Sequence, residues 1–213
     1  MFDLVVRIAR TIASRLRLRI LTELVRHGEV TPTSLAGTLG MPLNTLSAHL
    51  KALTVAGLIS SRKSGAQCYY AAESPYNERT LSGSLAKWLR QILRGAGTPE
   101  DSRGLPEVRD YGPDVDTVHK TLFEAATAFT DARRLQLLRY LESHGEATVE
   151  SLIDTLEMSE DAVSRHTTKL RRRGYVESRR REDRTIVYRL SSAPKTPLHG
   201  RLFEIVRRNW TAG

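Results

Sequence analysis

The side chains whose types and spacing could do chemistry fall into two sets, and the second follows the first by 117 positions. The first set is Asn44, Thr45, Ser47, Ala48, His49 and Lys51. The second is Asp161, Ser164, Arg165, His166, Thr168 and Lys169, running on into Arg171 and Arg172. Amides, hydroxyls and imidazoles offer paired donors and acceptors, and the cations offer charge to an anionic partner. A further basic cluster lies downstream of each set: Arg62 and Lys63, then Arg179, Arg180, Arg181 and Arg184. This is the chemistry of recognition rather than of bond making. The sequence has no nucleophile elbow, phosphate loop, metal-ligand cluster or paired-carboxylate site, so neither an enzyme nor a cofactor is expected.

The elements that position these residues come in two copies. Residues 17–63 lie on 134–180 without a gap, and 19 of the 47 positions are identical. The matches include Arg17/Arg134, His27-Gly28-Glu29/His144-Gly145-Glu146, Ser47/Ser164, His49/His166 and Arg62/Arg179. Self-similarity of this length marks a duplicated structural unit. In the first copy, Leu18, Leu21, Leu24 and Val25 are spaced for a helix that Gly28 stops. Thr31 or Thr33 caps a short helix holding Leu35 and Leu39. A third helix opens near Pro42 or Leu43 and carries Leu46, Leu50 and Leu53 inward. Leu58-Ile59 and Gln67-Cys68-Tyr69-Tyr70 then read as two strands around a Lys63-Ser64-Gly65 turn. The second copy repeats the pattern, with Ser159 as a stronger cap for its third helix. Thr167 stands where the first copy has the inward Leu50.

Helix, short helix, helix and hairpin make a winged helix-turn-helix. The expected fold class is therefore mainly α with small β-hairpin wings, two such units in tandem. In this arrangement the third helix enters a DNA major groove and the wing approaches phosphates.

Composition agrees with this and narrows it. The chain has 33 Lys plus Arg against 24 Asp plus Glu, a net charge of +9 that favours an anionic partner. Residues 1–94 carry +8, 95–115 carry −3 and 116–213 carry +4. We read 1–94 and 116–213 as the two winged domains with their flanking helices. The Gly-, Pro- and acid-rich 95–115 reads as the linker between them. No apolar run reaches the roughly 18 residues of a membrane span, so no membrane partner is expected. A single cysteine excludes a disulfide framework and points to a reducing, cytoplasmic compartment. Cys68, on a wing strand, is the one candidate for a redox role.

At these residues the chain resembles the ArsR/SmtB family of bacterial and archaeal transcriptional repressors. The family's opening pattern, Ala-Leu-x-Asp-Pro-x-Arg-Leu-x-Ile-Leu, is echoed at 12–21 and again at 129–138, without its Pro. Its recognition-helix pattern, Ser-x-x-Thr-Val-Ser-x-His-Leu-x-x-Leu, is echoed at Pro42–Leu53 and Ser159–Leu170. The resemblance covers about 60 residues of each half. It implies a prokaryotic, nucleoid-associated DNA-binding regulator. The family's metal site on the short helix uses paired Cys; neither 33–38 nor 149–154 has one, and no metal is expected.

Family members dimerise through helices flanking the winged core, and both halves offer such helices. Phe2, Val5, Ile8, Ala9 and Ile12 form one apolar stripe, and Leu81, Leu85, Trp88, Leu89 and Ile92 another. Val118, Leu122, Phe123, Ala126 and Phe129, then Leu202, Ile205, Val206 and Trp210, repeat them. The expectation is an intrachain pseudo-dimer with these four helices at the seam, whose further self-association is left open. The partner would be double-stranded DNA with two non-identical half-sites, read by Asn44, Thr45, Ser47, Ala48 and His49 in one half. Asp161, Ser164, Arg165, His166 and Thr168 would read the other. Lys51, Arg62, Lys63, Lys169, Arg171, Arg172, Arg179, Arg180, Arg181 and Arg184 would take phosphates. The alternatives are a tandem winged-helix scaffold subunit of a chromosome or transcription complex, and a thiol- or ligand-responsive sensor built on the same frame.

Overall fold

The computed structural model describes residues 2–96 and 114–210. In the first half, α1 (Phe2–Ile12), α2 (Arg15–His27), α3 (Pro32–Leu39) and α4 (Leu43–Val55) precede strands β1 (Ser60–Ser64) and β2 (Gln67–Ala71) and helix α5 (Leu81–Gly95). The second half has α6 (Val115–Ala126), a 3-10 turn (Thr127–Phe129), α7 (Ala132–His144), β3 (Glu146–Thr148), α8 (Val149–Leu156) and α9 (Glu160–Arg172). Strands β4 (Val176–Arg180) and β5 (Ile186–Leu190) and helix α10 (Pro197–Trp210) complete it. Most of the expected linker, 97–113, lies outside the described residues.

Local chemistry sets the helix ends. Side chains of Ser14, Thr31, Thr80, Asp114, Asp131, Thr148 and Ser159 each accept from a backbone N–H of the helix they open. Each satisfies a donor that has no partner inside its helix. Thr31, rather than Thr33, is the cap of α3. Helix α4 opens at Leu43 behind Pro42, which gives no side-chain cap. Gly40 ends α3 in the left-handed region at φ 63°. The equivalent residue after α8 is Glu157, at φ 49°, where a side chain is disfavoured.

The wings differ from expectation in register. Leu58 and Ile59 are buried ahead of β1 rather than within it, and the β1–β2 turn falls at Gly65-Ala66. The second half adds a strand the sequence reading missed: β3 pairs with β5 to give the order β3-β5-β4. In the first half the same contact shrinks to a single bridge between Val30 and Tyr70. Thr167 is buried, and its hydroxyl donates to the Val163 and Ser164 carbonyls, so the polar replacement is satisfied within its helix.

One continuous apolar core runs through both halves. The four stripes do two jobs each. Helix α5 packs on α2 of its own half and on α10 of the other; α1 packs on α2 and also on α6, α7 and the 3-10 turn. Each flanking helix thus meets its own repeat counterpart across the seam. Buried Thr22 lies 2.8 Å from His119 Nε2 across that seam. The Thr22 hydroxyl donates to the Leu18 carbonyl, so His119 Nε2 is the donor to Thr22. Burial lowers the His119 pKa. Arg10 donates to the Thr130 carbonyl at 3.0 Å, and Arg15 lies over the Phe123 ring at 5.8 Å.

Candidate nucleic-acid interface

Helices α4 and α9 are held alike because their inward residues correspond. Leu46, Leu50 and Leu53 face the core in α4, and Val163, Thr167 and Leu170 in α9. That leaves Asn44, Thr45, Ser47, Ala48 and Lys51 exposed on one helix, and Asp161, Ser164, Arg165, Thr168, Arg171 and Arg172 on the other. Lys169 is half-buried, and burial with the neighbouring Arg173 lowers its pKa.

The two histidines are a correction. His166 is buried, and His49 is half-buried, because both fall on the core side of their helices. Burial lowers the pKa of each, reinforced for His49 by Arg17. His166 Nδ1 has no hydrogen-bond partner among the described residues.

Arg17 and Arg134, identical in the repeat, do something that sequence reasoning missed. Arg17 donates from Nε to the Thr11 carbonyl at 2.7 Å and from Nη2 to the Arg10 carbonyl at 2.6 Å. Arg134 donates to the Ala128 and Thr127 carbonyls and to the Thr130 hydroxyl. Each guanidinium caps the end of the flanking helix and fixes it on the winged core. The identity at this position was the signal.

The wings carry a second correction. Arg62 makes a two-pronged ion pair with Glu29, with donor distances of 2.7 and 2.5 Å. The repeat-equivalent Arg179 pairs with Glu146 at 3.2 Å, and Arg181 bonds the same carboxylate. The hydrogen bonds from Arg62 and from Arg181 hold the Glu29 and Glu146 carboxyls below their usual pKa. Each of these three arginines thus has a carboxylate partner and stays partly exposed. The repeated His-Gly-Glu supplies both acids. Lys63, Arg180 and Arg184 are exposed and have no carboxylate partner among the described residues. Cys68 is half-buried on β2, opposite Lys63.

A hollow of about 790 Å³ lies beside α9, lined by Arg133, Arg165, Lys169 and Arg172 with Asp131 and Glu157. The residues at the same places in the first half are Leu16, Ala48, Ala52, Val55, Ser14 and Gly40. Cationic character is thus concentrated on one recognition helix. Among the described residues no cluster of His, Cys, Asp or Glu could hold a metal, and no helix is long and apolar enough to cross a membrane.

Comparison with known proteins agrees with the division into two units. Residues 12–62 match a helix-turn-helix domain family, and residues 131–178 match the family described as bacterial regulatory protein, arsR family. The chain is 39% identical over 70 residues to the HTH-type transcriptional regulator Rv0324 of Mycobacterium tuberculosis, covering 33% of this chain and 30% of that protein. It is 28% identical over 226 residues to the phenylalanine–tRNA ligase alpha subunit of Methanopyrus kandleri, covering 94% of this chain and 42% of that one. The chain thus spans less than half the length of either curated relative. The homodimeric winged helix-turn-helix DNA-binding domain of Mb0332 from Mycobacterium bovis is 32% identical, covering 43% of this chain and 76% of that one, at a TM-score of 0.36. The chain thus carries two helix-turn-helix units in one polypeptide, and the second is similar to the arsR family of bacterial regulatory proteins.

Proposed function

We propose that this chain is a sequence-specific double-stranded DNA-binding regulator, acting as a repressor that occludes a promoter, and that it is not an enzyme. The observation that carries the reading is the exposed basic surface of the second half. It runs from Arg165 through Arg171 and Arg172 to Arg180 and Arg184 on an α9 and wing of the right shape for a groove and its flanking phosphates. Asn44, Thr45, Ser47 and Ala48 on α4, with Asp161, Ser164, Arg165 and Thr168 on α9, face bases. Lys51, Lys63, Lys169, Arg171, Arg172, Arg180 and Arg184 face phosphates.

In this reading residues 1–94 and 116–213 are the two reading heads and 95–115 tethers them. Fusion keeps each half at high effective concentration beside the other, so the pair does not fall apart on dilution. The regulator works in the cytoplasm on the nucleoid. Selection of bound duplexes from a random pool, followed by footprinting, tests the reading. A single bound chain protecting two adjacent, unequal half-sites is the expected result. Failure to enrich any duplex at low salt overturns it.

A further inference from the structure

The outward stripes of α4 and α9 can be compared position by position, because the inward residues that orient the two helices correspond. Along α4 the stripe is Leu43, Asn44, Ser47, Ala48, Lys51 and Val55. Along α9 it is Glu160, Asp161, Ser164, Arg165, Thr168 and Arg172. Leu43 is 47% exposed and Val55 56% exposed, two of only five large apolar side chains standing out among the described residues. They are the counterparts of Glu160 and Arg172.

The chemistry each stripe can perform differs. In a major groove the guanidinium fork of Arg165 matches guanine O6 and N7, and the carboxylates of Glu160 and Asp161 accept from cytosine N4. Leu43, Ala48 and Val55 can neither donate nor accept. The apolar group that a base edge presents in that groove is the thymine 5-methyl. Asn44, beside Leu43, has the amide that pairs with adenine N6 and N7.

We propose that the two heads read half-sites of different base composition. Helix α4 takes an A·T-rich half-site through thymine methyls and adenine edges, and α9 takes a half-site containing G·C pairs. This rests on the DNA-binding reading above and adds to it which bases each head selects. It also gives the exposed Leu43 and Val55 an occupant. The apolar side chains at the two ends of α4 meet methyl groups, and its lack of arginine is a specificity rather than a loss.

The test uses the full chain and a duplex taken from the random-pool selection. Deoxyuridine replaces thymidine in one half-site at a time, which removes the 5-methyl and leaves every hydrogen bond in place. The expected result is a loss of affinity of about three- to fourfold per contacted methyl, the weight of one buried apolar carbon, confined to one half-site. The double variant L43A/V55A, at two exposed positions, should lose that sensitivity and keep the salt dependence of the parent. R165A should relax the guanine preference of the other half-site and leave the deoxyuridine effect intact. Duplexes that bind well but respond equally, or not at all, to deoxyuridine in the two half-sites overturn the proposal alone. So does protection of a single half-site, which would leave α4 to a protein partner. Failure to enrich any duplex overturns the DNA reading as well.

Discussion

The two halves share a scaffold and differ in what fills and covers it. In the second half the core is aromatic: Phe129, Tyr175, Phe203 and Trp210 are in ring contact, with centroids 4.9 to 6.1 Å apart. Phe129 and Tyr175 stand where the first half has Ile12 and Leu58. The surfaces diverge in the same way, with Arg165 and Arg172 against Ala48 and Val55. The second half also has polar anchors where the first has carbon: Glu142 accepts from Trp210 Nε1 at 2.7 Å and bonds Arg207, while its counterpart is Val25. What this teaches is that the duplicated fold constrains the position of a side chain more than its chemistry. Two heads joined in one chain need not stay alike, because neither has to pair with a copy of itself.

The largest expected contrast is in the core. Phe129 is fully buried at the seam, and Phe129→Ala should cost about 3–5 kcal/mol, against about 2–5 kcal/mol for Ile12→Ala at the equivalent place. Chemical denaturation of the two variants checks this, and a loss at Phe129 no larger than at Ile12 would show that the ring contacts add nothing. The next contrast is acid sensitivity. His199 is buried and neutral, with its pKa lowered to about 4, chiefly by burial and then by Lys195. The unfolded ring titrates near 6.5, so between about pH 6.5 and 4 the unfolded chain binds the extra proton. Stability should be complete above that window and fall by up to about 3 kcal/mol across it as pH drops. No histidine of the first half is buried. His199→Asn should reduce the dependence, leaving the part due to the other buried imidazoles, as read by unfolding midpoints at each pH.

The wings give the third contrast. Arg180→Ala with Arg184→Ala should lower the slope of log affinity against log salt by about 1.8, and Lys63→Ala in the other wing by about 0.9. Adding Arg179→Ala or Arg62→Ala should change that slope little, since both are paired with a glutamate. Binding titrations at several salt concentrations decide between these outcomes. The smallest effect is at the turn before α9. Glu157 occupies a left-handed position where the first half has Gly40, so Glu157→Gly should raise stability by about 1 kcal/mol. A loss on that change would mean that the carboxylate lining the cationic hollow contributes to the fold.

Much of this was legible in the residues. Hydrophobic spacing, Gly stops and Ser or Thr caps marked the helices of each winged core, and the ungapped repeat marked the two units. The boundaries of the strands were less legible. Leu58 and Ile59 look like strand residues, yet they are buried where the chain leaves α4 for the wing. Strand β3 was missed because Glu146-Ala147-Thr148 is too short to show alternation, and pairing with the distant β5 makes it a strand. The histidines of the recognition helices look like groove contacts by type. Whether such a ring faces bases or core depends on a helix rotation of tens of degrees, which the neighbouring leucines set.

By itself the sequence determined the tandem unit, its mainly helical class, the apolar stripes that meet at the seam and the concentration of charge on the second copy. These follow from local periodicity and from composition, which need no knowledge of what lies far along the chain. Tertiary structure alone decided which cations are open. Arg62, Arg179 and Arg181 are drawn to Glu29 and Glu146, residues 33 to 35 positions away, because the fold brings the wing root beside the turn after α2 or α7. It likewise turned Arg17 and Arg134 into clamps on the flanking helices and left Leu43 and Val55 exposed. A side chain's type sets which interactions it can make; the backbone around it sets which of them are within reach.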